Sequence, residues 1–176
     1  MRFLSIGLRE NIMERVALVS DTHIPTRASR VPEPFERRIR DADHLVHAGD
    51  FTSPGTLDRI EDLAGGNLTA VRGNMDRGLD LPAIETAEIE GVTFVVTHGT
   101  GSSSGYESRI VRTVREHAGD DAIGVAGHTP EVLDAVVEGV RILNPGSATG
   151  APPADRTTMM TAAVEGNEVD VTLHER

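Results

Sequence analysis

The chain of 176 residues contains no cysteine, no tryptophan and no lysine. Without cysteine there are no disulfides and no thiolate metal sites, so the strong metal ligands left are histidine and carboxylate. The aromatics amount to one Tyr and four Phe, so the core has to come from Val, Ile, Leu and Ala. In the absence of lysine all 17 basic residues are Arg, against 28 acidic residues, for a formal charge of −11. Such an excess argues against a protein that works by broad nucleic-acid backbone binding. Acidic surfaces without lysine resemble proteins of salt-loving organisms, which stay hydrated where screening is strong; a codon-biased acidic cytosolic protein would have the same composition. No apolar run approaches the length of a membrane span. The apolar segment at the start is too short for a signal peptide, and the chain reads as a cytoplasmic protein without a membrane partner.

The length suits one domain with a sizeable core. Val16 to Val19, Leu45 to Ala48, Leu68 to Val71 and Ala122 to Ala126 are short apolar runs that read as buried strands. Helical spacing covers Pro32 to Arg40, Pro54 to Ala64 (stopped by Gly65-Gly66) and Tyr106 to His117. Thr86 to Ile89 and Val92 to Thr97 flank Glu90-Gly91, a hairpin signature. Val132 to Val137, Val140 to Leu143, Thr157 to Val164 and Val169 to Leu173 read as strands joined by the tight turns Glu138-Gly139 and Gly166-Asn167. The first two-thirds alternate strand and helix and the last third is hairpins. The pattern predicts one α/β domain over residues 13–176, with two β-sheets packed face to face and helices outside. Met1 to Ile12 does not fit this pattern and reads as an extension, expected to be disordered.

Five polar clusters each follow an apolar run: Asp21-Thr22-His23, Gly49-Asp50, Gly73-Asn74, Thr97-His98-Gly99 and Gly127-His128. Together they offer two Asp, one Asn and three His. Hard oxygens mixed with imidazole nitrogens suit Mn²⁺, Fe, Zn²⁺ or similar ions. In open α/β folds ligands bind at the carboxyl ends of strands, so clusters placed there can converge. As separate turn and cap residues, six such side chains would be a coincidence.

The set Asp21-x-His23, Gly49-Asp50, Gly73-Asn74, His98 and Gly127-His128 resembles the calcineurin-like metallophosphoesterase superfamily. The short length, Gly73-Asn74-Met75-Asp76 and Asn144-Pro145-Gly146-Ser147 are similar to its small single-domain prokaryotic phosphodiesterases. The resemblance covers Met13 to the C-terminus. It implies a four-layer αββα sandwich of two mixed sheets flanked by helices. It also implies two divalent ions, Mn²⁺ foremost, with Fe, Zn, Ni or Co compatible. Asp21 and His23 would bind metal 1, Asp50 would bridge, and Asn74, His98 and His128 would bind metal 2. The implied activity is hydrolysis of a small phosphodiester or phosphate ester, through a hydroxide activated between ions about 3.5–4 Å apart. Asp50, Asn74 and Asp76 are the candidate catalytic residues. The pattern leaves room for a homo-oligomer.

The chain departs from the family in two places. Pro130 stands where a second His of Gly-His-x-His would complete metal 1, so metal 1 is expected to bind weakly or to be completed by another group. His47 is the nearest candidate in sequence, although its side chain is expected to point elsewhere. Met75 occupies the place of a His that serves wider relatives as candidate general acid, which leaves leaving-group protonation to water. The gap at Pro130 also keeps an alternative open: a weakened or inactive scaffold that binds a protein partner, as a retromer subunit of the same fold does.

Other residues read more plainly. Asp76 could orient a water, position a ligand or cap a turn, the last being favoured. Ser147 could approach substrate or belong to a rigid turn. His44, His117 and His174 read as surface or satisfied side chains, and Arg37, Arg38 and Arg40 as a solvated helix face. The loops Thr100 to Gly105 and Gly150 to Ala154 flank the expected site, the former as a linker or a lid, linker being favoured.

Overall fold

A computed structural model describes residues 12–176; residues 1–11 of the expected extension lie outside the described residues. The chain begins as strand–helix–strand alternation: β1 (Glu14–Val19), α1 (Glu33–Asp41), β2 (His44–His47), α2 (Pro54–Leu63) and β3 (Leu68–Ala70). A hairpin of β4 (Ile84–Ile89) and β5 (Val92–Thr97) follows, then α3 (Tyr106–His117) and β6 (Ile123–Val125). Two hairpins close the chain: β7 (Leu133–Val137) with β8 (Val140–Asn144), and β9 (Thr158–Glu165) with β10 (Glu168–Glu175).

Two five-stranded mixed sheets result, in the orders β10-β9-β1-β2-β3 and β4-β5-β6-β8-β7. In the first, β1, β2 and β3 are parallel, with Val16 opposite His44 and Leu45 opposite Leu68, while β9 runs antiparallel to β1. In the second, β5, β6 and β8 are parallel, with Phe94 opposite Ile123. Helices α1, α2 and α3 return the chain between the parallel neighbours β1 and β2, β2 and β3, and β5 and β6, whereas β8 reaches its parallel place beside β6 by way of β7.

Alternate residues of each strand serve different layers. Val16, Leu18 and Val46 of the first sheet interdigitate with Phe94, Val96 and Val125 of the second. Ala17, Val19 and Leu45 face the other way, onto Phe35 and Ile39 of α1 and Ile60 of α2. Val95, Val140 and Ile142 meet Ile110, Val111 and Val114 of α3. The layers are therefore helix, sheet, sheet, helix, the αββα sandwich expected. Burial on both faces is why β1 reads as a continuous apolar run rather than an alternation.

The helices carry their own start and stop signals. Ser53 caps α2, its Oγ accepting from Thr56 N–H at 3.2 Å, with Pro54 at the first helical position. Gly65 and Gly66 end that helix at φ of 61° and 85°, left-handed backbone that glycine adopts freely. On α1, Glu33 and Glu36 lie in the first turn and Arg38 and Arg40 in the last, matching the helix dipole. Arg37, Arg38 and Arg40 are exposed, the solvated face expected.

Candidate metal centre

The parallel strands all discharge at one end of the sandwich. Asp21 and His23 follow β1, Asp50 follows β2, Asn74 follows β3, His98 follows β5 and His128 follows β6. The first three strands adjoin in one sheet and the last two in the other, so five strand ends meet across the interface between sheets. Backbone bonds tie them: Asp21 N–H donates to Gly49 O at 3.0 Å, His23 N–H to Asp50 O at 3.0 Å, and Gly127 N–H to His98 O at 3.1 Å.

Oxygen and nitrogen atoms of Asp21, Asp50 and His98 lie within 4.8 Å of one another, all three residues being buried. His98 Nε2 is 3.3 Å from Asp50 Oδ2 and 3.0 Å from Asn74 Oδ1. His98 Nδ1 lies 2.7 Å from Ala48 O, which accepts from it, so Nε2 carries the lone pair when the ring is neutral and donates to Asp50 when it is protonated. His23 Nε2 stands between Asp21 Oδ1, at 3.6 Å, and Asp50 Oδ2, at 3.5 Å, while its Nδ1 is buried without a hydrogen-bond partner among the described residues. Carboxylate and amide oxygens and imidazole nitrogens thus crowd one buried space, where a proton on His98 Nε2, or a cation in its place, balances the carboxylate charge. The donor chemistry fits divalent ions of the kind expected.

His128 comes to the same place with a second set of contacts. Its Nδ1 is 3.1 Å from Asn74 Oδ1 and its Nε2 3.0 Å from Gly101 O. Its backbone N–H donates to Asp21 Oδ2 at 3.1 Å, and Ser20 Oγ–H donates to the same oxygen.

The fields at the centre are strong. Burial pushes the Asp50 carboxyl upward, but the His98 hydrogen bond and charge and the Met75 N–H outweigh it and hold the group below its ordinary range. Burial works to lower His98, yet Asp50 and Asp21 raise it above the ordinary imidazole value.

Four of the six candidate ligands, none of them glycine, have left-handed backbone: φ is 52° at Asp21, 47° at His23, 64° at Asp50 and 70° at His128. Each such residue costs about 1–3 kcal/mol, and strain of this kind gathers at functional sites. The glycines beside the ligands serve a different need. A Cβ on Gly49 would lie 2.7 Å from Gly73 N and 2.8 Å from His98 Nδ1, and one on Gly73 would overlap the Asp50 carboxylate.

Asp76 lies behind the ligands. It is 1% exposed; Oδ2 accepts from Asp50 N–H and Gly73 N–H at 2.8 Å each, and Oδ1 from Thr52 N–H at 2.8 Å. The carboxylate therefore clasps the backbone of two ligand loops. His47 indeed points away from the centre. Its Nδ1 accepts from Gly49 N–H at 3.1 Å and its ring stacks on Phe51 at 3.7 Å. Burial, followed by the His98 charge, pushes it down to about 3, so it is neutral.

Asn144 and Ser147 also turn inward. Asn144 Nδ2 donates to Tyr106 Oη at 3.0 Å and Thr129 O at 3.1 Å, and Ser147 Oγ donates to Asp21 O at 2.8 Å. Tyr106 Oη–H donates to Gly127 O at 2.6 Å. The rigid-turn reading of this motif accounts for these bonds. The chain's one tyrosine, which belongs to no motif in the sequence, braces the strand end that carries His128. His44, His117 and His174 are each hydrogen-bonded, to Thr69, Thr113 and Thr161. The Thr100 to Gly105 segment is stapled by Arg109, whose guanidinium donates to Gly99 O, Ser102 O and Ser104 O.

Two cavities flank the centre. One of about 220 Å³ opens over Asp21, His23 and Asp50, walled by Arg27, Met75 and Pro130. The other, of about 370 Å³, lies beyond Asn74 and His98. Pro130 thus reaches the wall at which the expected histidine would have stood.

Residues 14–167 match the model of the calcineurin-like phosphoesterase superfamily domain. The chain belongs to the calcineurin-like phosphoesterase superfamily. It is 34% identical over 160 residues to a protein of Methanothermobacter thermautotrophicus named "Probable metallophosphoesterase", covering 90% of each chain. Among solved structures it is similar to vacuolar protein sorting 29 from Cryptosporidium parvum, with a TM-score of 0.75 at 21% identity, covering 93% of this chain and 98% of that one. A Vps29 of Entamoeba histolytica, solved with Zn²⁺, superposes with a TM-score of 0.72 at 23% identity, covering 92% and 98%. The last two likenesses establish the fold of this calcineurin-like domain, and the archaeal relative and the family match establish the family. No helix among the described residues is long and apolar enough to cross a membrane.

Proposed function

We propose that this protein is a metal-dependent phosphoesterase acting on phosphodiesters. The observation that carries the reading is the convergence of buried Asp21, Asp50 and His98, with His23 and the exposed Asn74 on either side, into a cluster of oxygen and nitrogen atoms beneath an open cavity. Asp21, His23 and Asp50 would hold metal 1; Asp50, Asn74, His98 and His128 would hold metal 2. When bound, two divalent ions acidify water and neutralise the charge that grows on the phosphoryl oxygens. Asp50, whose Oδ2 lies near both His23 and His98, would be shared by the two positions. Asn74, partly open to solvent, offers Oδ1 to metal and an amide N–H to a phosphoryl oxygen. Asp76 acts through Asp50 as a positioning residue and does not touch substrate. Met75 carries no titratable proton, so the reading favours esters with good leaving groups. Metal 1, one histidine short at Pro130, is the weaker position.

Proline at position 130, in place of the expected histidine, also supports a second reading, in which the site is a remnant and the protein binds a partner. One experiment separates the two: hydrolysis of bis-p-nitrophenyl phosphate by metal-stripped protein titrated with Mn²⁺. Turnover that rises with metal and is lost in Asp50→Asn supports the enzyme. Absence of turnover in folded protein at every metal level supports the partner-binding reading.

A further inference from the structure

The cavity beyond His98 and Asn74 has walls that hydrolysis of a simple diester does not require. Arg72, Arg109 and Arg112 line it, and no carboxylate does, in a chain with 28 acidic residues. Among the described residues none of these three arginines is within ion-pair distance of a carboxylate, as Arg37, Arg40, Arg59, Arg115, Arg141 and Arg156 are; Arg15, Arg27, Arg30, Arg38, Arg77 and Arg176 also stand without one, and what sets Arg72 and Arg112 apart is that they share a cavity with Arg109. Their positions are set by the fold. Arg72 directly precedes Gly73-Asn74 and its backbone N–H is fixed to Pro82 O at 2.9 Å. Arg112 lies one helical turn beyond Arg109 on α3, on the same face. Arg109 donates to loop carbonyls through its two terminal nitrogens, its Nε being buried without a partner among the described residues, so its charge stays at the wall without a carboxylate to cancel it. Ile84 and Ile110 add apolar surface between the charges and the metal centre. At about 370 Å³ the space falls in the range of small-molecule pockets.

We propose that this cavity is an anion subsite, holding a second phosphate on a substrate whose scissile ester lies at the metal centre. The inference rests on the phosphoesterase reading and narrows it to esters with two phosphates. Guanidinium groups take phosphate oxygens in pairs, and two unpaired guanidinium groups with an apolar wall favour a phosphorylated organic part over a neutral one.

Thymidine 5′-monophosphate and thymidine 3′,5′-bisphosphate differ by such a phosphate alone. Calorimetric titration of the native protein with each, in the same Mn²⁺ buffer, is expected to show the bisphosphate binding about tenfold tighter or more. Arg72→Gln and Arg112→Gln are each expected to remove most of that ratio; both side chains are exposed, so the variants retain the core. Equal affinity of the native protein for the two nucleotides overturns the subsite, as does a ratio that survives both substitutions together. The p-nitrophenyl 5′-esters of the same nucleosides keep the two claims apart. Hydrolysis of both with equal kcat/KM removes the subsite and leaves the phosphoesterase. Hydrolysis of neither removes the phosphoesterase, and the binding ratio then decides the subsite.

Discussion

Asp76→Asn preserves the shape of the side chain and turns one acceptor oxygen into an amide group that faces backbone N–H donors. Metal affinity is expected to fall about 10–100-fold, as it does when a group orienting a ligand is lost, and stability by about 1–3 kcal/mol. Mn²⁺ titration and denaturant unfolding of the metal-free protein measure the two; lowered stability with unchanged affinity would make Asp76 a brace of the fold alone. The sequence could not choose among the roles of Asp76, because Gly-Asn-Met-Asp has the same spacing in a capped turn and in a clasp. Only the three N–H groups arriving from two loops decide it. His47 makes a separate prediction. Its unfolded-state pKa lies near ~6.5 and its native one is pushed down to about 3, so the native protein binds fewer protons between these values. The contribution of His47 to stability is whole above pH ~6.5 and is lost as the pH falls toward 3, with a slope of up to ~1.4 kcal/mol per pH unit. Unfolding in chelator across pH 4 to 6.5 is expected to show a flatter curve for His47→Gln; an unchanged slope would assign the dependence to other groups.

At the scale of elements, strand ends rather than strand interiors define the site, and glycine lets those ends approach. Gly127 carries β6 against the end of β1. A Cβ there would overlap Ser20 Oγ and lie 2.6 Å from Asp21 Oδ2, although its backbone has an ordinary φ. Gly127→Ala is therefore expected to cost about 1–3 kcal/mol through overpacking and to weaken metal binding. Gly55→Ala on α2, where a Cβ meets nothing within 4 Å, is expected to stabilise by up to about 1 kcal/mol. Thermal unfolding of the two variants tests the contrast, and equal shifts would show that Gly127 is not a steric necessity. The elements themselves were legible: α3 spans Tyr106–His117 as its periodicity predicts, and the turns Glu90-Gly91 and Glu138-Gly139 have the left-handed backbone their sequences suggest. Strand partners were not. An apolar run shows that a strand is buried and says nothing of its neighbours, so the return of β9 and β10 to β1, and the insertion of β8 between β6 and β7, could not be read from pattern. The meeting of the six candidate side chains at one end of the sandwich was legible because each follows a strand that has to end somewhere; the tie from Tyr106 to Gly127 was not, because a lone tyrosine at a helix start has no pattern.

The whole molecule combines a net charge of −11 with a cleft flanked by Arg27, Arg72, Arg109 and Arg112. These two facts respond to salt with opposite signs. Screening relieves repulsion among surface carboxylates, which favours the compact state, and it also weakens the attraction of the cleft for an anion. Raising NaCl from 0.05 to 1 M is thus expected to raise Tm, at roughly 2–4 °C for each kcal/mol gained in a chain of this size. On the phosphoesterase proposal, kcat/KM for an anionic ester is expected to fall over the same range while kcat at saturation changes less, because encounter and binding carry the electrostatic attraction and the candidate site is a buried cluster that salt screens little. Thermal unfolding and steady-state kinetics on the same samples measure both. A flat or falling Tm would mean that the acidic surface is too dispersed to repel itself. A kcat/KM that rises with Tm would mean that the arginines do not govern encounter, and that stabilising the fold is what salt does for activity.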